Sequence, residues 1–122
     1  MTLTELNEEI RKFQKELNSG TTALILLGVL SQASEPMYGY QIAKLIEANI
    51  KEIQIIKQGA LYPVLRSLES SGLLESQVEP SVSGPPRRYY RITETGRETL
   101  EKWREIWEQT KALVDSIVSG GE

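Results

Sequence analysis

Hydrophobic and polar positions follow helical spacing over most of this chain. Leu3, Leu6, Ile10, Phe13 and Leu17 recur three and four residues apart with charged residues between them, which predicts an amphipathic helix with a heptad-like stripe. Thr2 and Glu5 can form a capping box at its start, and Asn18-Ser19-Gly20 is a stop signal. Thr21 or Thr22 would cap a second helix over residues 23–33, apolar nearly all round and therefore largely buried. A buried strand has the same pattern, but the length favours a helix. Ser34, Glu35, Pro36 and Met37 read as a turn. A third helix over 38–49 would bury Ile42, Leu45 and Ile46, with Asn49 as its left-handed terminator. The connection that follows contains Ile53, Ile55 and Ile56 and is expected to pack.

The clearest pattern comes next. Leu61, Val64, Leu65 and Leu68 form one apolar stripe, and Gly72 stands where a left-handed residue would end the helix. Pro63 lacks an amide proton, so the helix should begin near Gly59, Ala60 or Leu61 with Pro63 in its first turn. Gln58, Tyr62 and Arg66 then share the other side, presenting an amide, a phenol and a guanidinium that can meet base edges and phosphates. An ordinary surface helix is the alternative. Residues 73–78 and 87–92 read as two strands, and 79–86, rich in Pro, Gly and Ser, as a hairpin loop with Arg87 and Arg88 at its tip. Strand alternation should send one ring of Tyr89-Tyr90 inward and the other outward. The predicted fold class is therefore mainly α with a small β-hairpin, a winged helix-turn-helix.

Thr93, or a capping box from Thr95 to Glu98, should start the last helix. Leu100, Trp103, Trp107, Thr110, Val114 and Ile117 alternate by three and four, flanked by Ile106 and Leu113. This seam exceeds what a small monomer needs and reads as a dimerisation helix; folding back on its own core is the alternative. Leu6, Ile10 and Phe13 on the first helix are its natural mates, in the same chain or another. Residues 1–20 are thus expected to form an amino-terminal amphipathic helix, 21–92 a winged helix-turn-helix domain that binds DNA and 93–119 a dimerisation helix, with 120–122 expected as a disordered tail.

Composition narrows the chemistry. The 122 residues are 39% hydrophobic and 25% charged, as in a soluble globular domain. With no Cys and no His, there is no thiolate metal site, no cysteine nucleophile and no histidine base, which argues against most hydrolase and metalloenzyme readings, and no cofactor is expected. The longest apolar run, 23–30, is too short to span a membrane. Glu5, Glu8 and Glu9 stand where a signal peptide would be positive, which makes a cytoplasmic protein the expectation. Net charge is −3, yet residues 38–91 hold seven basic and five acidic side chains, against three and five before them and four and seven after. An anionic partner would therefore meet the middle of the chain. There Arg66 can donate two parallel hydrogen bonds to guanine or phosphate, against the alternative of a salt bridge to Glu69. Tyr62 can reach a phosphate or a thymine methyl, or else pack on the preceding helix. Lys57 and Gln58 lie at the helix entrance, suited to backbone contacts, and Arg87 and Arg88 suit phosphates or the minor groove. Trp103 and Trp107, one turn apart, fill a dimer core or form a platform for a flat ligand. Gly84-Pro85-Pro86 lacks the lysine and following helix of a phosphate-binding loop.

Several of these motifs stand in a familiar order. Tyr38-Gly39-Tyr40, Gly59-Ala60-Leu61-Tyr62-Pro63 with Leu65 and Leu68-Glu69, Gly72-Leu73, and Gly84-Pro85-Pro86-Arg87-Arg88-Tyr89-Tyr90 through Thr93-Glu94-Thr95-Gly96 resemble the PadR-like family of transcriptional regulators, co-linearly over residues 21–97. The resemblance implies a homodimer joined through the carboxy-terminal helix that binds double-stranded operator DNA, mostly as a repressor and without enzymatic activity. It makes 59–71 the recognition helix, with Tyr38, Gln41, Gln58, Tyr62 and Arg66 facing DNA beside the wing arginines. Trp107 falls where an aromatic of the small, ligand-responsive branch stacks on planar molecules at the dimer centre. A small-molecule sensor and a winged-helix module for protein contact alone are the alternative functions.

Overall fold

The computed structural model describes residues 1–48 and 58–120, with position 58 described by its backbone alone. Asn49, the isoleucines of the connection, Lys57 and the last two residues lie outside the described residues. Helix α1 spans Leu3–Gln32, strand β1 Met37–Tyr38, helix α2 Gly39–Ala48 and helix α3 Gln58–Ser70. Strands β2 (Leu74–Ser81) and β3 (Gly84–Ile92) form a hairpin, followed by helix α4, Glu94–Val118.

The break expected at Asn18-Ser19-Gly20 does not occur, and α1 is one helix of 30 residues. Thr2 caps it as expected, accepting from the Glu5 amide at 3.2 Å. Thr21 and Thr22 cap nothing. Their hydroxyls donate back to the carbonyls of Leu17 (2.8 Å) and Asn18 (2.6 Å), while the Gln14 amide donates to Asn18 Oδ1 at 2.9 Å. The Asn18 side chain and the two threonine hydroxyls are thus satisfied within the helix. A mid-helix glycine costs only about 1 kcal/mol, whereas restarting a helix requires a new nucleus. Leu26, Leu27 and Leu30 anchor the second half in the core, and the stripe from Leu3 to Leu17 stays exposed.

Met37, expected in a turn, pairs instead with Tyr90, and Tyr38 with Tyr89, so β1 adds a third antiparallel strand in the order β1-β3-β2. The hairpin strands run through most of the expected loop, to Ser81 opposite Gly84, with an irregularity between Glu79 and Ser81. Pro80 is tolerated there because β2 is an edge strand. Pro85 and Pro86 are tolerated because β1 flanks β3 only at Tyr89 and Tyr90. Arg87 and Arg88 consequently stand along the hairpin, opposite Glu79 and Val78, and not at its tip.

Leu61, Leu65 and Leu68 of α3 are buried and Val64 partly so, as their spacing predicts. The helix starts at Gln58, which places Pro63 in the second turn and not the first. Gly72 ends it at φ +79°. The Gly72 amide donates to the Glu69 carbonyl and the Leu73 amide to the Leu68 carbonyl, both at 2.9 Å, a Schellman stop with Leu68 and Leu73 buried beneath it. In α2 the buried face is Ile42, Ala43 and Ile46, while Leu45, expected inside, is 42% exposed. Leu45 lies about 100° round the helix from the centre of that arc. The small Ala43 side chain lets α2 approach the core on its other flank.

Thr93, not Thr95, caps α4, accepting from the Gly96 amide at 3.0 Å. Its own hydroxyl donates to the Gly72 carbonyl (2.7 Å) and its amide to the Leu73 carbonyl (3.1 Å). The start of α4 is thereby tied to the end of α3. Gly96 makes that approach possible, since a side chain there would collide with the Leu73 carbonyl and with Ile92 Cγ1, 2.7 Å away. Tyr90 is buried and Tyr89 half-buried, the expected split.

Candidate nucleic-acid interface

The sequence-predicted residues fall into groups around α2, α3 and the hairpin. Tyr38 precedes α2, and its amide donates to Gln41 Oε1 at 3.1 Å, the returning half of a capping box. Gly39 follows, and its missing side chain admits the Tyr62 ring. A Cβ at position 39 would lie 2.8 Å from the phenol oxygen. Tyr62 is thus half-buried across the start of α2, the packing role weighed against its contact role, and Tyr38, Gln41 and Tyr62 are brought together. Gly59 and Ala60 are exposed at the entrance to α3.

Arg66 is exposed, and among the described residues it forms no ion pair with Glu69. Glu69 turns to the hairpin. Ser76 Oγ donates to Glu69 Oε2 at 2.6 Å and accepts from Arg88 Nη1 at 2.9 Å. Arg88 and Ser76 share the sheet face that carries Leu74 and Tyr90, so this cation is drawn towards α3. Burial, and then the Glu69 carboxylate, hold the Tyr90 phenol above its usual 10.0.

Alternation sends Arg87 to the opposite face. Its guanidinium lies 4.5 Å from the centre of the Tyr38 ring. Tyr38 meets Tyr89 edge-on at 5.3 Å and stacks with Tyr40 at 6.5 Å, and Lys44 Nζ lies 5.4 Å from the Tyr40 ring. Glu47, with a smaller contribution from Tyr40, raises the Lys44 ammonium above its usual 10.5, so it carries full charge at neutral pH. This run of two cations and three phenols was only partly legible. Tyr40 and Lys44 have i, i+4 spacing that could have been read, whereas the approach of Arg87 to Tyr38 depends on the register of β1 against β3. Arg91 on the same face pairs with Glu75 directly across the hairpin. Lys57 lies outside the described residues, and Gln58 is the first residue of α3.

The carboxy-terminal seam divides in two. Leu100 and Trp103 pack partly buried against the core of their own chain, the folding back that was the alternative to dimerisation. Beyond them Val114 and Ile117 are 49% and 69% exposed, as are Leu6, Ile10 and Phe13 on α1 at 46%, 57% and 64%. Trp103 and Trp107 line a cavity of about 430 Å³ between α1 and α4, together with Leu17, Gly20, Leu24 and Ile106. Among the described residues no acidic cluster could hold a metal ion, and no helix is long and apolar enough to cross a membrane.

The sequence profile of the PadR-like family of transcriptional regulators matches residues 26–102. A crystallised PadR family transcriptional regulator from Eggerthella lenta shares the fold with a TM-score of 0.75 at 33% identity, covering 96% of this chain and 98% of its own. A protein of Lysinibacillus sphaericus is 32% identical over 85 residues, 70% of this chain and 78% of that one. A transcriptional regulator of Mycobacterium tuberculosis is 43% identical over 54 residues, 44% of this chain and half of its own.

Proposed function

The chain belongs to the PadR-like family, whose members are DNA-binding transcriptional regulators, and on that premise we propose that it is a repressor that binds a pseudo-palindromic operator as a homodimer. The observation that carries this reading is the outer stripe of α3. Tyr62 is seated by Gly39, Arg66 is left without an ion pair among the described residues, and a wing cation stands beside the stripe. In this reading α3 enters the major groove, Arg66 donates to a guanine edge, and Tyr38, Gln41, Gly59 and Ala60 approach the backbone. Arg87 and Arg88 meet phosphates on either side of the wing. Lys57 and Gln58, next before Gly59 in the sequence, are proposed as further DNA contacts.

Dimerisation is supported by the exposed apolar stripes. The outer half of α4 and the first half of α1 present Val114, Ile117, Leu6, Ile10 and Phe13 to solvent, and isolated helices of this kind are marginal without a partner. Two protomers joined there would set their recognition helices about 34–36 Å apart, one turn of DNA. Fluorescence anisotropy on a labelled duplex from the promoter of its own gene, over a salt series, tests the reading. Loss of Arg87 or Arg88 should lower affinity and flatten the salt dependence by about 0.9 per contact. Absence of salt-sensitive binding, with the dimer intact, would instead favour a module for protein contact.

A second reading is favoured by one observation. The cavity beside Trp103 and Trp107 is mostly apolar and, at about 430 Å³, within the size range of ligand sites. A planar aromatic effector bound there would touch both α1 and α4, the helices assigned to dimerisation. Quenching of tryptophan fluorescence by flat aromatic compounds tests it, and no quenching across a broad panel would leave the two rings as packing groups.

A further inference from the structure

We infer that Glu69 and Ser76 are positioning residues for Arg88, locking the wing cation to the end of the recognition helix. The inference rests on the DNA-binding reading above. Glu69 stands three residues after Arg66 and seven after Tyr62, so it continues the stripe assigned to DNA. A free carboxylate on that stripe would oppose the phosphate backbone. It is not free. Ser76 donates its hydroxyl proton to Glu69 at 2.6 Å, which turns the remaining lone pairs of the hydroxyl towards Arg88 Nη1 at 2.9 Å. Each group in the series has the role its chemistry allows: guanidinium as donor, hydroxyl as donor and acceptor, carboxylate as acceptor. The charges at the two ends polarise the hydroxyl between them and strengthen both bonds.

The hairpin register makes the contact. Ser76 faces Tyr90 and Arg88 faces Val78, so Ser76 and Arg88 are diagonal neighbours on one face. Glu69 reaches them because the Schellman stop at Gly72 turns the chain back directly into β2. A long arginine side chain held before binding loses less freedom when it meets a phosphate. The same engagement removes Glu69 as a partner for Arg66. One serine thereby serves both cations, holding Arg88 and leaving Arg66 for DNA.

The test uses the full chain and a labelled duplex from the promoter of its own gene, with a scrambled duplex of equal length at low salt. The variants are Arg88→Ala, Ser76→Ala, Ser76→Thr and the double variant Ser76→Ala/Arg88→Ala, each melted to check folding. Ser76→Ala should weaken binding roughly three- to tenfold and flatten the salt dependence in the direction of Arg88→Ala. Ser76→Thr, which keeps the hydroxyl, should restore both. In the Arg88→Ala background, Ser76→Ala should cost clearly less than in the wild type, the signature of a residue acting through another, with only the release of Glu69 towards Arg66 remaining. Wild-type binding by Ser76→Ala overturns the inference, and so does an equal loss in the presence and absence of Arg88. An inert Arg88→Ala removes the wing contact and the inference with it, but leaves α3 as the reader. Only a wild-type chain with no salt-sensitive binding defeats the DNA-binding reading itself.

Discussion

Replacing Gly96 with Ala should destabilise the protein strongly although alanine is the better helix former. On propensity alone the change gains about 1 kcal/mol. The structure reverses the sign, because the new methyl would press on the Leu73 carbonyl, part of the backbone, and on Ile92 Cγ1 at 2.7 Å. Overpacking of this kind costs about 1–3 kcal/mol, and a rigid carbonyl belongs at the upper end. Moving α4 aside to relieve it strains the bonds from Thr93 to Gly72 and Leu73, at 2.7 and 3.1 Å, worth about 1 kcal/mol each. The net loss is then about 2–4 kcal/mol, a large part of the roughly 5–15 kcal/mol that holds a domain together. Gly28 supplies the control, since a Cβ there meets nothing within 4 Å. Gly28→Ala should stabilise by up to about 1 kcal/mol. Urea unfolding followed by far-ultraviolet circular dichroism, at matched protein concentrations, measures both. With a slope of about 2 kcal/mol per molar urea, the Gly96→Ala midpoint should fall by about 1–2 M. Two shifts of the same sign, or a Gly96→Ala loss below about 1 kcal/mol, would refute the claim that close backbone approach at this residue sets the seat of α4.

Arg66→Ala should weaken operator binding by about 5- to 150-fold and relax preference at one base pair, read by competition among operator variants; a uniform loss over all sequences would make Arg66 a phosphate contact only. Ile117→Glu should shift the protein towards monomer in sedimentation and cut operator affinity with it, while an unchanged assembly would remove this part of α4 from the interface. Tyr90 gives a pH dependence. Its phenol is raised in the folded protein, so it contributes stability that is fully present below pH 10.0 and lost as pH climbs through the raised value. Tyr90→Phe should flatten the alkaline limb of the stability curve, and identical limbs would show that other groups cause the decline.

Much of this architecture was legible because its causes are local. The stripe of Leu61, Leu65 and Leu68, the left-handed stop at Gly72 and the cap at Thr93 each involve residues within about one helical turn or two, so spacing and residue type suffice to specify them. The same rule exposed Arg66 and separated Tyr89 from Tyr90. It failed where two outcomes differ little locally. Asn18-Ser19-Gly20 is a good stop signal, yet the helix continued because Thr21, Thr22 and Asn18 found partners inside it and the leucines beyond were already held in the core. What only the tertiary structure decided depends on pairings across long stretches of chain. Met37 and Tyr38 became a strand because Tyr89 and Tyr90 offered an edge, and that register carried Arg87 to the Tyr38 ring. Ser76 met both Glu69 and Arg88 through the hairpin register and the turn at Gly72. Periodicity says which face of an element is apolar. It does not say which polar side chains a neighbouring element brings opposite them, and that juxtaposition sets Arg88 beside α3 and Arg87 against the Tyr38 ring.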